Sequence, residues 1–129
     1  MQIQKYSNKT IKSSLDIAWS FLVKLLANNR CAYCNREQDL HAHHIHTRKR
    51  ISTRWDTDNG ICLCADHHVH NTYFSAHQTP YKFLKWMDNY MGIEFMEALQ
   101  VKSNQTLKLM NFEKQELLEG LKNQINELK

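Results

Sequence analysis

Two pairs of potential metal ligands occur in this chain with the same internal spacing. Cys31 and Cys34 enclose two residues, and Cys64 and His67 repeat that spacing further along the chain. Three thiolates and one imidazole suit tetrahedral zinc, because soft sulfur ligands favour zinc over magnesium. Four protein ligands leave no open position for a substrate. The pairs therefore predict a structural zinc ion whose binding contributes to the free energy of folding.

Two ligand assignments in this region have alternatives. Asp66 or His70 could replace His67 as the fourth ligand if the turn closes differently. Cys62 alternates with Cys64 along a predicted strand, and free cysteine often behaves as a small buried hydrophobe. We therefore assign Cys62 to the core rather than to the zinc site.

Further histidines could form a second, open metal site. His43 and His44 are adjacent, and His68 directly follows the predicted zinc ligand. Hydrolysis of a phosphodiester needs a base whose pKa lies near neutrality, which histidine provides. It also needs a divalent cation with free positions for phosphate oxygens. Imidazole ligands favour Ni²⁺, Zn²⁺ or Mn²⁺, and the phosphate oxygens also admit Mg²⁺.

Strand geometry constrains the adjacent pair. Neighbouring residues of a strand face opposite sides, so a shared cleft for His43 and His44 needs a twist or bulge at the strand end. We expect the other histidines to be exposed to solvent, with His70 the first candidate for an additional role because it lies close to His68. These histidines are His41, His46, His70 and His77.

A basic segment adjoins the histidines. Its four positive residues fall within seven positions, whereas the formal net charge of the whole chain is only +4. Such side chains contact the phosphates of a nucleic acid backbone, and the alternative is a solvated loop. The predicted phosphate contacts are Arg48, Lys49, Arg50 and Arg54.

The spacing of apolar residues indicates the elements that hold these side chains. Apolar residues recur at intervals of three and four over 11–28, which predicts an amphipathic helix ending at two asparagines. Residues 40–46 and 60–63 fit two short strands, and 65–72 fits a short helix. The predicted order around the ligands is strand, loop, strand, helix.

The region 79–129 is predicted to be helical. Thr79 and Pro80 suit a helix start, with threonine as the cap and proline in the first turn. Gly92 interrupts the pattern, which predicts a helical hairpin. The tail carries an apolar stripe that docks on its own domain or, alternatively, supports a homodimer. The stripe consists of Leu118, Leu121, Ile125 and Leu128.

The composition indicates a single domain over residues 1–129. Of the 129 residues, 42% are hydrophobic, enough for a modest core that a metal ion would help to stabilise. No apolar run approaches the roughly 18 residues that span a bilayer, and 1–10 lacks the apolar core of a signal peptide. We expect a cytoplasmic protein without membrane contact, whose cysteines stay reduced.

The order of these residues resembles the HNH nuclease family, which is named for a His, an Asn and a His. The chain departs from the family pattern at His67, where a cysteine usually stands. The resemblance covers residues 31–77. It rests on His43-His44-Ile45, Asp58-Asn59 and Cys64-x-x-His67-His68.

The resemblance implies a role for each matched residue. By position, His44 would be the general base, and His43 and His68 would bind the catalytic divalent ion. Asn59 would hold the loop that orients His44. The implied fold is α+β and mostly helical, with a small zinc-stapled ββα-metal core between an N-terminal helix and C-terminal helices.

The implied activity is metal-dependent hydrolysis of DNA, with RNA left open as a substrate. Without a visible recognition helix, nicking or weakly specific cleavage is expected. Over residues 15–99 the order is also similar to phage recombination proteins of the NinG type, which implies DNA processing in a host cytoplasm. The alternatives are a zinc-stapled nucleic-acid-binding module without catalysis and an assembly protein whose tail recruits a partner.

Overall fold

The computed structural model describes residues 8–129. Residues 1–7, which belong to the segment predicted to lack a signal peptide, lie outside the described residues. The described chain is mostly helical with one two-stranded antiparallel sheet, as predicted. Its elements are α1 (Asn8–Leu26), β1 (Leu40–His44), α2 (Ile51–Arg54), a 3-10 turn (Thr57–Asn59), β2 (Gly60–Cys64), a π-helical turn (Asp66–His70), α3 (Pro80–Met91), α4 (Ile93–Asn104) and α5 (Asn111–Leu128).

Helix α1 is the amphipathic helix expected over 11–28. Its apolar face is buried, with Leu15 and Leu22 fully inaccessible and Trp19 almost so. The chain leaves the helix through Asn28 and Asn29, which adopt the left-handed conformation with φ of 54° and 53°. This exit leads directly into the first cysteine pair.

The β1–β2 hairpin carries most of the predicted site residues. Leu40 pairs with Cys64 at one end and His44 pairs with Gly60 at the other. A Cβ atom at Gly60 would lie 2.4 Å from a methyl carbon of Val23 and 2.8 Å from the ring of Trp19. Glycine at this position therefore lets α1 pack directly on the hairpin, next to His44.

The predicted helix over 65–72 is only a five-residue π-helical turn. The amide of Asn71 donates to the carbonyl of Asp66 at 2.8 Å, which closes the turn. The side chain of Asn71 then accepts from the amides of Tyr73 and Phe74 at 2.8 and 3.0 Å. Because these two backbone amides bond to a side chain rather than to helical carbonyls, the helical hydrogen-bond pattern ends here.

Helix α3 begins at Pro80, as the sequence predicts, but Thr79 does not cap it. The Thr79 hydroxyl instead donates to the carbonyl of Ser75 at 2.9 Å and accepts from its amide at 3.0 Å. Gly92, with φ of 96°, separates α3 from α4 and forms the predicted interruption. Together α3 and α4 cover the face of the hairpin opposite α1.

Helix α5 packs against α1 of the same chain. Leu118 and Leu121 of its stripe are buried there, whereas Leu128 is half exposed. The tail thus docks on its own domain, and a homodimer through this helix stays a prediction that would have to use the exposed residues. Among residues 8–129, no helix combines the length and apolar character needed to span a membrane.

Candidate metal centres

The two predicted pairs of zinc ligands meet in space. The ligand atoms of all four residues lie within 4.8 Å of one another. The sulfurs of Cys34 and Cys64 are 3.8 Å apart, and the Cys64 sulfur is 3.4 Å from Nδ1 of His67. Tetrahedral zinc with bonds of about 2.3 Å holds neighbouring sulfurs roughly 3.8 Å apart. The cluster, which consists of Cys31, Cys34, Cys64 and His67, could therefore bind a metal such as zinc.

Local structure explains how the four ligands converge. The amide of Cys31 donates to the carbonyl of Arg36, and the Cys31 carbonyl accepts from Asn35, both at 2.8 Å, which closes the knuckle. Cys64 ends β2, and the π-helical turn brings His67 back toward it. We call these four ligands the closed cluster.

The two alternative ligands lie outside the closed cluster. A carboxylate oxygen of Asp66 is 3.8 Å from Nε2 of His67, the nitrogen that faces away from the sulfurs. This contact is too long for a hydrogen bond, and the same carboxylate oxygen instead accepts from the side-chain nitrogen of Asn71 at 3.1 Å. His70 is exposed and belongs to neither cluster of potential ligands in residues 8–129.

The thiols of the closed cluster differ in acidity. Burial by itself raises the pKa of Cys31, but hydrogen bonds from the backbone of Cys64, Cys34 and Tyr33 outweigh it and lower the pKa. Burial, with the neighbouring thiols, raises the pKa of Cys34 to about 11. Binding of a metal therefore has to displace the Cys34 proton. Cys62 is buried in the core as predicted, and burial raises its pKa to about 11.

A second cluster forms beside the first. His43, His68 and His77 bring one ring nitrogen each within 4.8 Å of one another, and they could hold a metal ion. The Nε2 atom of His68 lies 3.1 Å from Nδ1 of His43 and 3.2 Å from Nε2 of His77. His43 and His68 are partly buried, whereas His77 is exposed. We call this the open cluster, because three ligands leave positions free on an ion.

Hydrogen bonding alone does not satisfy the open cluster. A ring nitrogen carries either one proton or one lone pair, so Nε2 of His68 can form only one good hydrogen bond. It nevertheless faces two nitrogens at bonding distance. Ligands on one cation, with bonds of about 2.1 Å, stand roughly 3.0–3.4 Å apart. The observed spacing fits such an arrangement, and a bound cation would remove the conflict at Nε2 of His68.

The other ring nitrogen of His68 faces His41. The two Nδ1 atoms are 2.8 Å apart, so one of them donates a proton to the other. Burial and the neighbouring histidines His77 and His41 lower the pKa of His68 to about 4. Burial, together with His68 and His77, lowers the pKa of His43 to about 3. His43 and His68 are therefore neutral at pH 7, which leaves their lone pairs available for an ion.

The structure does not bring His44 into the open cluster. The alternation of the strand places its ring on the opposite side from His43, stacked on Trp19 with ring centres 3.8 Å apart. Its Nε2–H donates to the carbonyl of Arg54 at 2.9 Å, which leaves Nδ1 as the acceptor. Burial lowers the pKa of His44 and outweighs the bond to Arg54, which raises it. The ring is thus held neutral at the end of β1.

Asn59 is fully buried and bonds to the chain just after His44. Its side-chain oxygen accepts from the amide of His46 at 2.7 Å, and its side-chain nitrogen donates to the His46 carbonyl at 3.0 Å. The Asn59 carbonyl also accepts from the amide of Ile45. Three bonds therefore fix the path of the strand end that carries His44.

The basic segment divides into two parts. Arg48, Lys49 and Arg50 are exposed in the loop between β1 and α2. The guanidinium of Arg54 instead forms two bonds to the carboxylate of Asp16, at 2.9 and 3.1 Å. The role of Arg54 as a phosphate contact stays a prediction, and this ion pair shows that its side chain also links α2 to α1. The local charge run gave no indication of that partner.

Of the histidines expected in solvent, His70 and His77 are exposed, whereas His41 and His46 are partly buried. The structure also places His41 and His77 beside His68, which sequence reasoning missed. His41 had a usable signal, since it lies two residues before His43 and shares its side of the strand. The position of His77 in the sequence gave no comparable signal. It reaches the site because its amide donates to the carbonyl of His68 at 3.0 Å.

Protein-family models, curated proteins and solved structures contain no match to this chain. Any assignment of function therefore rests on the residues of this chain and their geometry.

Proposed function

We propose that the protein is a metal-dependent nuclease of the HNH type that hydrolyses phosphodiester bonds in nucleic acid. The observation that carries the proposal is the conflict at Nε2 of His68, which faces two nitrogens and can bond only one. A binding module stapled by the closed cluster alone needs no such group of convergent imidazoles. The hairpin followed by a helical turn is also the arrangement expected of a ββα-metal core.

The open cluster would hold the catalytic ion through His43, His68 and His77. A divalent cation there would stabilise the negative charge that develops on the phosphate and on the leaving oxygen. In the proposed reaction, water forms a bond to phosphorus while one phosphorus–oxygen ester bond breaks. The base takes a proton from the water, and solvent returns one to the leaving oxygen.

His44 is proposed as the base. A base must be unprotonated at working pH, and the lowered pKa of His44 meets that requirement. The carbonyl of Arg54 keeps the proton on Nε2, so Nδ1 is the atom available to accept another. Trp19 covers one face of the ring and fixes its plane. Asn59 supports this geometry by holding the chain that follows His44.

A nucleic-acid-binding module without turnover is the second candidate. The observation that favours it is the position of His44, whose ring stacks on α1 on the side of β1 opposite His43. In that case His44 would serve to pack α1 on the hairpin, and the exposed basic loop would provide the contacts with phosphate.

Cleavage of supercoiled plasmid, with Mg²⁺, Mn²⁺, Ni²⁺ or Zn²⁺ added in turn, tests the proposal. We expect the wild type to nick the plasmid with at least one of these ions. His68→Ala and His44→Ala should each lower the rate by about 100-fold or more. His70→Ala is the matched control, because His70 is exposed and lies outside both clusters. Equal rates for all four proteins, or binding of DNA without any cleavage, would refute the nuclease assignment.

A further inference from the structure

The segment that carries two of the three open-cluster histidines has an unusual composition. Residues 67–87 include Lys82, Lys85 and four histidines, and they contain no acidic residue. Five aromatic residues are interleaved with these basic groups. They are Tyr73, Phe74, Tyr81, Phe83 and Trp86. Positive charge combined with aromatic rings is typical of surfaces that bind the backbone and bases of single-stranded nucleic acid.

Two of these rings are directed to solvent. Tyr73 is 82% exposed and Tyr81 is 72% exposed, which makes them the most exposed of the large apolar side chains in residues 10–129. The ammonium group of Lys82, the residue after Tyr81, donates to the carbonyl of Tyr73 at 2.8 Å, which links the start of α3 to the loop that carries Tyr73. The Lys85 ammonium lies 5.0 Å from the centre of the Tyr81 ring. A positive charge thus lies beside the ring of Tyr81 and another beside the backbone of Tyr73.

The support beneath the two tyrosines is rigid. Asn71 fixes the amides of Tyr73 and Phe74, and the rings of Phe74 and Phe83 are buried below with centres 6.1 Å apart. Trp86 packs on Phe74 with ring centres 5.7 Å apart. A preformed support reduces the entropy lost when a base stacks on an exposed ring.

The same loop adjoins the open cluster. The amide of His77 donates to the carbonyl of His68, and the side chain of Gln78 donates to the carbonyl of Val69, each at 3.0 Å. The loop that carries Tyr73 therefore folds back on the turn that carries His68. A strand bound across Tyr73 and Tyr81 would pass beside the histidines.

We propose that Tyr73 and Tyr81 form a stacking platform that binds single-stranded nucleic acid and guides it to the open cluster. The inference rests on the proposed function, because it takes nucleic acid as the substrate. Exposed rings stack only on unpaired bases, whereas a duplex keeps its bases stacked on one another. The platform therefore selects single strands, loops or frayed ends.

Fluorescence anisotropy with labelled oligonucleotides tests the platform without requiring cleavage. The zinc-loaded full-length chain is titrated into oligothymidylate, oligouridylate and a duplex of equal length, with no other divalent ion added. We expect tighter binding to at least one single strand than to the duplex. Tyr73→Ala and Tyr81→Ala should each weaken that binding about tenfold, whereas the phenylalanine variants keep the ring and should match the wild type.

Phe112→Ala is the control, because this exposed aromatic residue lies on α5, which packs against α1 rather than beside the two tyrosines. Both platform rings are exposed, so thermal melts of the variants should match the wild type. Alanine variants that bind like the wild type, or a preference for duplex, would overturn the platform. Tyrosine-dependent binding of an oligonucleotide that stays uncleaved with each of Mg²⁺, Mn²⁺, Ni²⁺ and Zn²⁺ would refute the nuclease assignment and support the platform, so the two failures are distinguishable.

Discussion

Two adjacent residues of one turn, His67 and His68, belong to different clusters of potential ligands. His67 joins three cysteines in the closed cluster, where four donors could complete the coordination of a tetrahedral ion and backbone hydrogen bonds lower the pKa of Cys31. His68 joins His43 and His77 in the open cluster, where one ligand is exposed. The difference shows how one turn can serve folding on one side and an open metal site on the other.

The two clusters also differ in how deeply they are packed in the protein. Cys31 and Cys64 are buried beside β2, within the core formed with α3 and α4. The open cluster lies between the hairpin and a loop that is held by backbone bonds to the turn. We therefore expect loss of a closed-cluster ligand to affect folding, and loss of an open-cluster ligand to affect metal binding alone.

The largest effect is expected from Cys64→Ser. Removing one thiolate from the closed cluster should abolish tight zinc binding and, with it, the cooperative thermal unfolding transition, because zinc binding is part of the folding free energy. Zinc content after dialysis and circular dichroism melts measure both properties. Cys62→Ala is the matched control, since this buried thiol two residues away is outside the cluster and the variant should retain zinc. A Cys64→Ser protein that keeps its zinc and melts like the wild type would remove the distinction between the clusters.

A smaller effect is expected from His41→Phe. Its Nδ1 is 2.8 Å from Nδ1 of His68, so it can accept the proton that leaves Nε2 of His68 free for an ion. Such outer partners change metal affinity by about 10–100-fold. Calorimetric titration with Ni²⁺ of protein that carries one zinc ion per chain, in the closed cluster, should show a loss of affinity of about tenfold in His41→Phe. The loss should be partly recovered in His41→Gln, whose amide oxygen can accept the same proton. Unchanged affinity in His41→Phe would show that this contact does not orient His68.

The sequence was most informative where ligands are close together along the chain. The spacing of Cys31, Cys34, Cys64 and His67 was sufficient to predict the closed cluster, because each pair spans a single local turn. The helix α1 and the two strands also followed from apolar periodicity.

The remaining features depend on contacts between distant segments. Arg54 pairs with Asp16, which is 38 residues away, so a local charge run could not reveal its partner. His77 enters the open cluster only because a loop folds back on the π-helical turn. The stacking of His44 on Trp19 requires α1 to approach the hairpin closely at Gly60.

Native mass spectrometry tests the central claim, that adjacent residues of one turn bind two separate ions. The protein is saturated with Zn²⁺, exchanged into volatile buffer, and its metal ions are counted for the wild type, His68→Ala and the control His70→Ala. We predict two ions in the wild type and in His70→Ala, and one ion in a folded His68→Ala protein. A single ion in the wild type, or two ions in His68→Ala, would contradict the account.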